Sequence, residues 1–155
     1  MTEFTNGYFK MMKDIGEGYE RARSIRNKEK EELLEREDWK GLEEWNEREK
    51  SFPFPFSAGY MKAYWAWQNS IDHSSDAFEV SELPWEKDVH DFVACLKEAG
   101  VREFAITDRS TALMDVLHAL GKEGCQMRGL CEVKRIENNW GEDEAKTYNG
   151  ILMSI

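Results

Sequence analysis

The residues best suited to chemistry form a polar loop, Thr107-Asp108-Arg109-Ser110-Thr111. The loop lies between an apolar stretch that predicts a strand and a periodic stretch that predicts a helix. Helix N-termini and the carboxyl ends of parallel strands are both places where anions bind. Asp108, Arg109, Ser110 and Thr111 therefore predict a site for a phosphate or carboxylate, although the loop lacks the glycines of a phosphate-binding turn. Helix capping by these side chains is the alternative interpretation.

Other polar groups do not form a recognisable catalytic or metal constellation. His73 to Asp76 are consecutive residues in a polar loop, whereas the geometry of a catalytic triad is built in space from separate elements. Cys95, Cys125 and Cys131 have no Cys-x-x-Cys spacing and no matching histidine pair. We therefore predict reduced thiols, no metal and no cofactor, and the protein is more readily interpreted as a binding protein than as an enzyme.

The charge of the chain is strongly negative. It has 21 Lys and Arg against 31 Asp and Glu, a net charge of −10. This balance disfavours direct binding to nucleic acids and to anionic membranes, and it is compatible with a basic protein partner. Residues 72–91 contain seven acidic residues and one lysine. Glu79 and Glu82 lie in this segment, which predicts either a solvated acidic loop or a surface for a basic protein.

Aromatic residues are concentrated between Phe52 and Trp67. Tyr64, Trp65 and Trp67 cannot all point to the same side of a helix, so one of them is expected to be exposed. Trp65 and Trp67 are therefore candidates for an interaction surface, with packing in the core as the alternative.

The N-terminal two-thirds of the chain predict helices. Residues 1–51 predict a helical arm of two helices or one bent helix, which packs on its own domain, on a second copy or on a partner. Residues 52–101 predict a helical segment: Ser57 caps one helix, residues 69–82 form an acidic loop, and a second helix from Pro84 ends at Gly100.

Residues 102–155 predict a β-α-β-β unit. The strands are expected at 102–107, 126–136 and 148–155, with a helix at 112–123 that Ser110 or Thr111 caps and a loop across 138–147. A strand, a crossover helix and another strand favour a parallel, right-handed pair. We expect one domain, 1–155, of α/β class with α+β as the alternative, in which the helical half packs on a three-stranded mixed sheet.

Several short motifs lie within residues 56–135: Leu83-Pro84-Trp85, Asp91-Phe92-Val93, Ala99-Gly100, Phe104 through Met114, and Gly129-Leu130. With these motifs the stretch resembles an uncharacterised domain family of bacterial mobile-element and gut-bacterial proteins. The resemblance implies a bacterial cytoplasmic setting and no specific activity. The sequence also shows no signal peptide and no long apolar segment, which predicts a cytoplasmic protein.

These features favour a non-enzymatic binding or regulatory module that acts through protein–protein contacts, with another protein or a second copy as the partner. The alternative is a small-molecule anion binder, for phosphate or a nucleotide, or an enzyme, that uses the 107–111 loop.

Overall fold

The computed structural model describes residues 1–155 and shows an α+β fold, which confirms the predicted class. The five α-helices are α1 (Glu3–Glu35), α2 (Trp39–Glu49), α3 (Ala58–Asp72), α4 (Val89–Glu98) and α5 (Leu113–Lys122). One turn of 3-10 helix, Glu86–Asp88, precedes α4. The four strands are β1 (Glu79–Val80), β2 (Glu103–Ile106), β3 (Gln126–Asn139) and β4 (Glu142–Ser154).

The chain divides into two compact units. The helical unit is Lys10–Phe56, and the sheet unit combines Met1–Phe9 with Ser57–Ile155. In the helical unit, Asp38 caps α2 by accepting the Gly41 N–H, so two helices form, as one of the two predicted alternatives had it. Arg26 and Glu49 join them through an ion pair of 2.5 Å that is mostly buried.

The start of α3 and the end of α4 lie where local signals predict, whereas α3 continues to Asp72 into the predicted loop and α4 begins at Val89, after a turn of 3-10 helix, rather than near Pro84. The Ser57 hydroxyl accepts the Tyr60 N–H at 3.4 Å at the start of α3. Gly100 follows α4 with φ of +74°, a conformation that favours glycine. Gly59 lets the two helices approach closely, since a Cβ atom there would lie 2.5 Å from the Asp88 carbonyl oxygen.

The sheet has four strands in the order β1-β2-β4-β3, so the three predicted strands do lie in one mixed sheet, but the predicted number of strands and the predicted direct pairing of β2 with β3 are wrong. β2 and β3 do run in the same direction, but both pair antiparallel with β4, which lies between them. The reason is local. The β3–β4 hairpin pairs along almost the whole of both strands, so β4 lies next to β3, and the free edge of β4 is the edge that β2 meets. The fourth strand, β1, is parallel to β2 and lies in the segment predicted as an acidic loop.

The hairpin is longer than predicted, because strands replace the loop expected at 138–147. Its turn contains only Trp140 and Gly141, with φ of +54° and +85°. These are the backbone values of a two-residue turn of type I′, the type that matches the twist of the strands it joins.

The segment that contains β1 also closes the sheet. The Phe78 carbonyl accepts the Ala105 N–H next to β2, while the Asp76 N–H donates to the Lys134 carbonyl of β3 at 3.0 Å. The Ile136 N–H of β3 donates to the His73 carbonyl at 2.7 Å. Residues 73–80 therefore bridge β2 and the outer edge of β3, where they pair with the backbone at Lys134 and Ile136.

Candidate functional site

A small polar cleft lies where the parallel strands β1 and β2 end. It has a volume of about 410 Å³ and is lined by Ser81, Thr107, Asp108, Arg109, Arg135 and Tyr148. We call it the polar cleft. Two residues of the predicted anion site, Asp108 and Arg109, line it, whereas Ser110 and Thr111 do not.

Asp108 has a structural role in the polar cleft. Its carboxylate accepts the backbone N–H of Leu83 and that of Ser110, both at 2.9 Å, and so ties together the two loops that follow β1 and β2. Neither Ser110 nor Thr111 caps α5, which begins after Ala112 without a side-chain cap, so that prediction is wrong. The Asp108 carboxylate accepts the Ser110 N–H, and the Leu113 N–H donates to the Ser110 carbonyl at 3.2 Å, so the chain makes a turn at residues 110–113 before the helix starts. Arg109 is exposed at the rim of the cleft.

A buried ion pair forms the inner wall of the cleft. One terminal nitrogen of Arg135 lies 2.7 Å from Glu79 Oε1, and the other lies 3.1 Å from Glu137. The guanidinium also lies 3.8 Å from the centre of the Tyr148 ring. Glu79, only 3% exposed, accepts a further hydrogen bond from Thr107 at 2.8 Å. Arg135 and Tyr148 carry no signal in the sequence, since only the register Val133–Tyr148 of the hairpin places them on the face of Glu79.

The electrostatics of this network stabilise its charged forms. Burial disfavours the charged guanidinium, but Tyr148, Glu79 and Glu137 together hold the pKa of Arg135 above its usual value. Hydrogen bonds from Tyr148 and from Lys146 lower the pKa of Glu137. Because both terminal nitrogens of Arg135 contact carboxylates, Arg109 is the lining cation that is free to meet a ligand. The polar cleft can hold an anion only through that exposed side chain and its hydroxyl neighbours.

The predicted interaction residues separate into buried and exposed pairs. Glu79 is internal, so the prediction of a surface position is wrong for it, and Trp67 is 4% exposed, with its indole N–H donating to Asn6 at 2.9 Å, which is the core position given as its alternative. Trp67 packs in the core because its ring stacks on Phe9 at 5.5 Å. Trp65 and Glu82 are exposed, and Glu82 forms an ion pair with Lys62 at 2.9 Å.

The tip of the β3–β4 hairpin, residues 137–144, is a second feature of the surface. We call it the hairpin tip. Trp140 occupies its turn and is fully exposed, while Glu137, Glu142, Asp143 and Glu144 provide four carboxylates in a segment that contains no Lys or Arg. The loop predicted across 138–147 includes this tryptophan, but it was not singled out. Its signal in the sequence is a bulky residue directly before the glycine of a turn.

The remaining titratable cluster joins three helices. Glu98 accepts hydrogen bonds from the hydroxyls of Tyr8 at 2.6 Å and Tyr60 at 2.8 Å, which lower the pKa of Glu98. Burial and the bond to Glu98 raise the pKa of Tyr60 to about 12. Burial also raises the pKa of Cys95 to about 12, so this thiol is protonated at neutral pH and is a poor nucleophile.

Metal-binding clusters and membrane-spanning helices are both absent from the structure. No group of three or more His, Cys, Asp or Glu side chains is placed to hold a metal ion. None of the helices combines the length and the apolar character needed to cross a bilayer.

Comparison with known proteins gives a family match for most of the sheet unit. Residues 62–155 match the model of a family described as a domain of unknown function, DUF7698. No curated protein and no solved structure matches the chain. The matched residues include all four strands, α4 and α5, and with them the polar cleft and the hairpin tip. They overlap the 56–135 stretch that resembles an uncharacterised family and extend it to Ile155. The chain therefore belongs to the DUF7698 family.

Proposed function

We propose that this protein is a non-enzymatic binding or regulatory module that acts through contacts with another protein. The observation that supports this best is the exposure of large aromatic side chains in the sheet unit. Trp65 is 52% exposed, Trp85 is 71% exposed and Trp140 is fully exposed. Tryptophan is among the residues most enriched at the energetic centres of protein interfaces, and its exposure to water is unfavourable without a partner.

The charge of the chain indicates the kind of partner. A net charge of −10 favours a basic protein over a nucleic acid or an anionic membrane. We place the protein in the bacterial cytoplasm, with mobile elements and gut bacteria as the sources that the resemblance implies. A second copy of the chain is the alternative partner.

Quantitative co-purification tests this proposal. Tagged wild-type protein is compared with Trp65→Ser, Trp85→Ser and Trp140→Ser, and with the control Met114→Ser, which changes an exposed apolar residue of α5. We expect a co-purifying protein that at least one tryptophan variant loses and the control retains. Equal recovery with all four variants would contradict the proposal.

A second candidate function is binding of a phosphate or carboxylate, for which the position of Asp108 and Arg109 in the polar cleft is the specific support. Inorganic phosphate should then raise the melting temperature by mass action. Arg109→Ala should remove the shift, and the control Arg102→Ala, at another exposed arginine, should keep it. The same shift in wild type and Arg109→Ala excludes this site.

A further inference from the structure

Trp140 occupies a turn position whose backbone conformation tryptophan rarely adopts. Turns of type I′ need positive φ at both central residues, which Asn, Asp and Gly adopt most readily. A bulky residue at φ of +54° is an outlier among proteins. The indole makes no compensating contact, since the side chain is fully exposed. Folding therefore does not explain the tryptophan at this position.

We propose that the hairpin tip is an anchor that inserts the Trp140 indole into an apolar pocket with a basic rim on a partner protein. This inference rests on the proposed function and names the surface and the chemistry of the partner. A residue in an unfavourable backbone conformation that no contact within the fold compensates is expected at a functional position.

The carboxylates of the tip specify the charge of that rim. Arg135 and Lys146 already pair with Glu137, so the carboxylates available to a partner are those of Glu142, Asp143 and Glu144. Two of them are held in place: Asn138 donates to Asp143 at 3.1 Å, and Asn139 donates to Glu144 at 2.9 Å. Three carboxylates next to one indole attract Lys and Arg side chains, and they repel anionic lipids as well as the tip of a second copy.

The hairpin also presents the indole on a rigid support. The ladder of β3 and β4 is continuous from the turn to Val133, which is fully buried. The Arg135–Glu137–Tyr148 network joins the two strands at the base of the tip. Because the tip is ordered before it binds, less entropy is lost on association than for a mobile loop.

Photo-cross-linking in cells tests the anchor. A benzoylphenylalanine residue replaces Trp140 in one variant and the exposed Met114 in the control. We expect one dominant protein adduct from position 140, with Lys or Arg next to the cross-linked residue of the partner, and no such adduct from position 114. An adduct to a second copy or to lipid, or no adduct, overturns the inference.

The captured partner, purified, is then the probe for calorimetry. Trp140→Asn should raise the dissociation constant of the complex at least about thirtyfold, the range of an interface hot spot. Changing Glu142, Asp143 and Glu144 together to Lys should also raise the dissociation constant and remove the salt dependence of binding. If the partner binds these variants as tightly as wild type and binding is lost in Trp65→Ser or Trp85→Ser, the anchor is wrong while the proposed function stands. If no protein binds at all, both fail.

The stability of the free protein provides a test without a partner. Because Asn adopts positive φ more readily than Trp, Trp140→Asn should raise the melting temperature by a few degrees. A lower melting temperature would show that the indole stabilises the fold, and would overturn the inference. Vesicles of phosphatidylcholine, alone or with phosphatidylglycerol, should leave the tryptophan fluorescence of the protein unchanged, and a blue shift that Trp140→Asn removes would indicate a membrane instead.

Discussion

The ion pair between Glu79 and Arg135 makes a sharp prediction about stability. Glu79 is 3% exposed and the Arg135 side chain is 17% exposed, so water can replace little of what Arg135 supplies to the Glu79 carboxylate. Arg135→Met keeps much of the apolar length of the side chain and leaves Glu79 with only the Thr107 and Ser75 hydroxyls as donors. Removing one member of a buried pair costs about 3–5 kcal/mol. That is a large part of the roughly 5–15 kcal/mol that stabilises a domain.

Urea denaturation of a double-mutant cycle measures this effect. Arg135→Met should lower the free energy of unfolding by about 3–5 kcal/mol, and Glu79→Leu should cost less, because Arg135 keeps its contact with Glu137. The double variant should lose less than the sum of the two, because Glu79 is no longer present as an unpaired buried charge. The control Arg128→Met, at an exposed arginine of the same strand, should change stability by less than about 0.5 kcal/mol. A loss below about 1 kcal/mol for Arg135→Met, or strict additivity in the cycle, would refute the reasoning.

Three other changes have expected outcomes. Gly59→Ala should lower the free energy of unfolding in urea by about 1–3 kcal/mol, because its Cβ would meet the Asp88 carbonyl oxygen at 2.5 Å; an unchanged midpoint contradicts the close packing of α3 and α4. The lowered pKa of Glu98 means that its stabilising effect is present above the unfolded pKa of about 4.3 and is lost as the pH falls further. Glu98→Gln should therefore flatten the acid side of a stability–pH profile, and an unaltered profile would contradict this. The raised pKa of Tyr60 acts in the opposite direction: its contribution is present below a pH of about 10 and is lost as the pH rises toward about 12, so Tyr60→Phe should reduce the alkaline loss of stability that circular dichroism measures.

Local signals predicted the helices of the sheet unit well. The start of α3 at Ser57 and the end of α4 before Gly100 depend on single residues with strong backbone or capping preferences. The start of α5 was predicted less well, because the Leu113 N–H donates to the Ser110 backbone carbonyl in a turn that precedes the helix. Capping signals therefore fail where a backbone carbonyl already accepts the N–H that the capping side chain would bind.

Strand pairing depended on contacts that are distant in sequence. β1 has two residues, too few for an alternating pattern, and its Glu79 looks like a surface residue until Arg135, 56 positions later, lies next to it. The position of β4 between β2 and β3 likewise follows from the long hairpin rather than from any one strand.

In the candidate sites, too, residues with local signals were predicted and residues placed by contacts distant in sequence were not. Asp108 and Arg109 were identified from loop chemistry and do line the polar cleft. Arg135 and Tyr148 were not identified, because alternation along a strand does not reveal what covers each face. Trp140 was visible in the sequence as part of a turn, but its exposure and positive φ are evident only in the structure.

Hydroxyl-radical footprinting of tryptophan tests the central claim most directly, since it works before the partner has been identified. The purified chain and the same chain in its native cells are oxidised in parallel, and modification is measured at Trp140, with the exposed Trp39 of α2 as the internal reference. A partner that covers the hairpin tip should lower the modification of Trp140 several-fold in cells relative to Trp39. Equal modification of Trp140 in cells and in the purified protein would contradict the account.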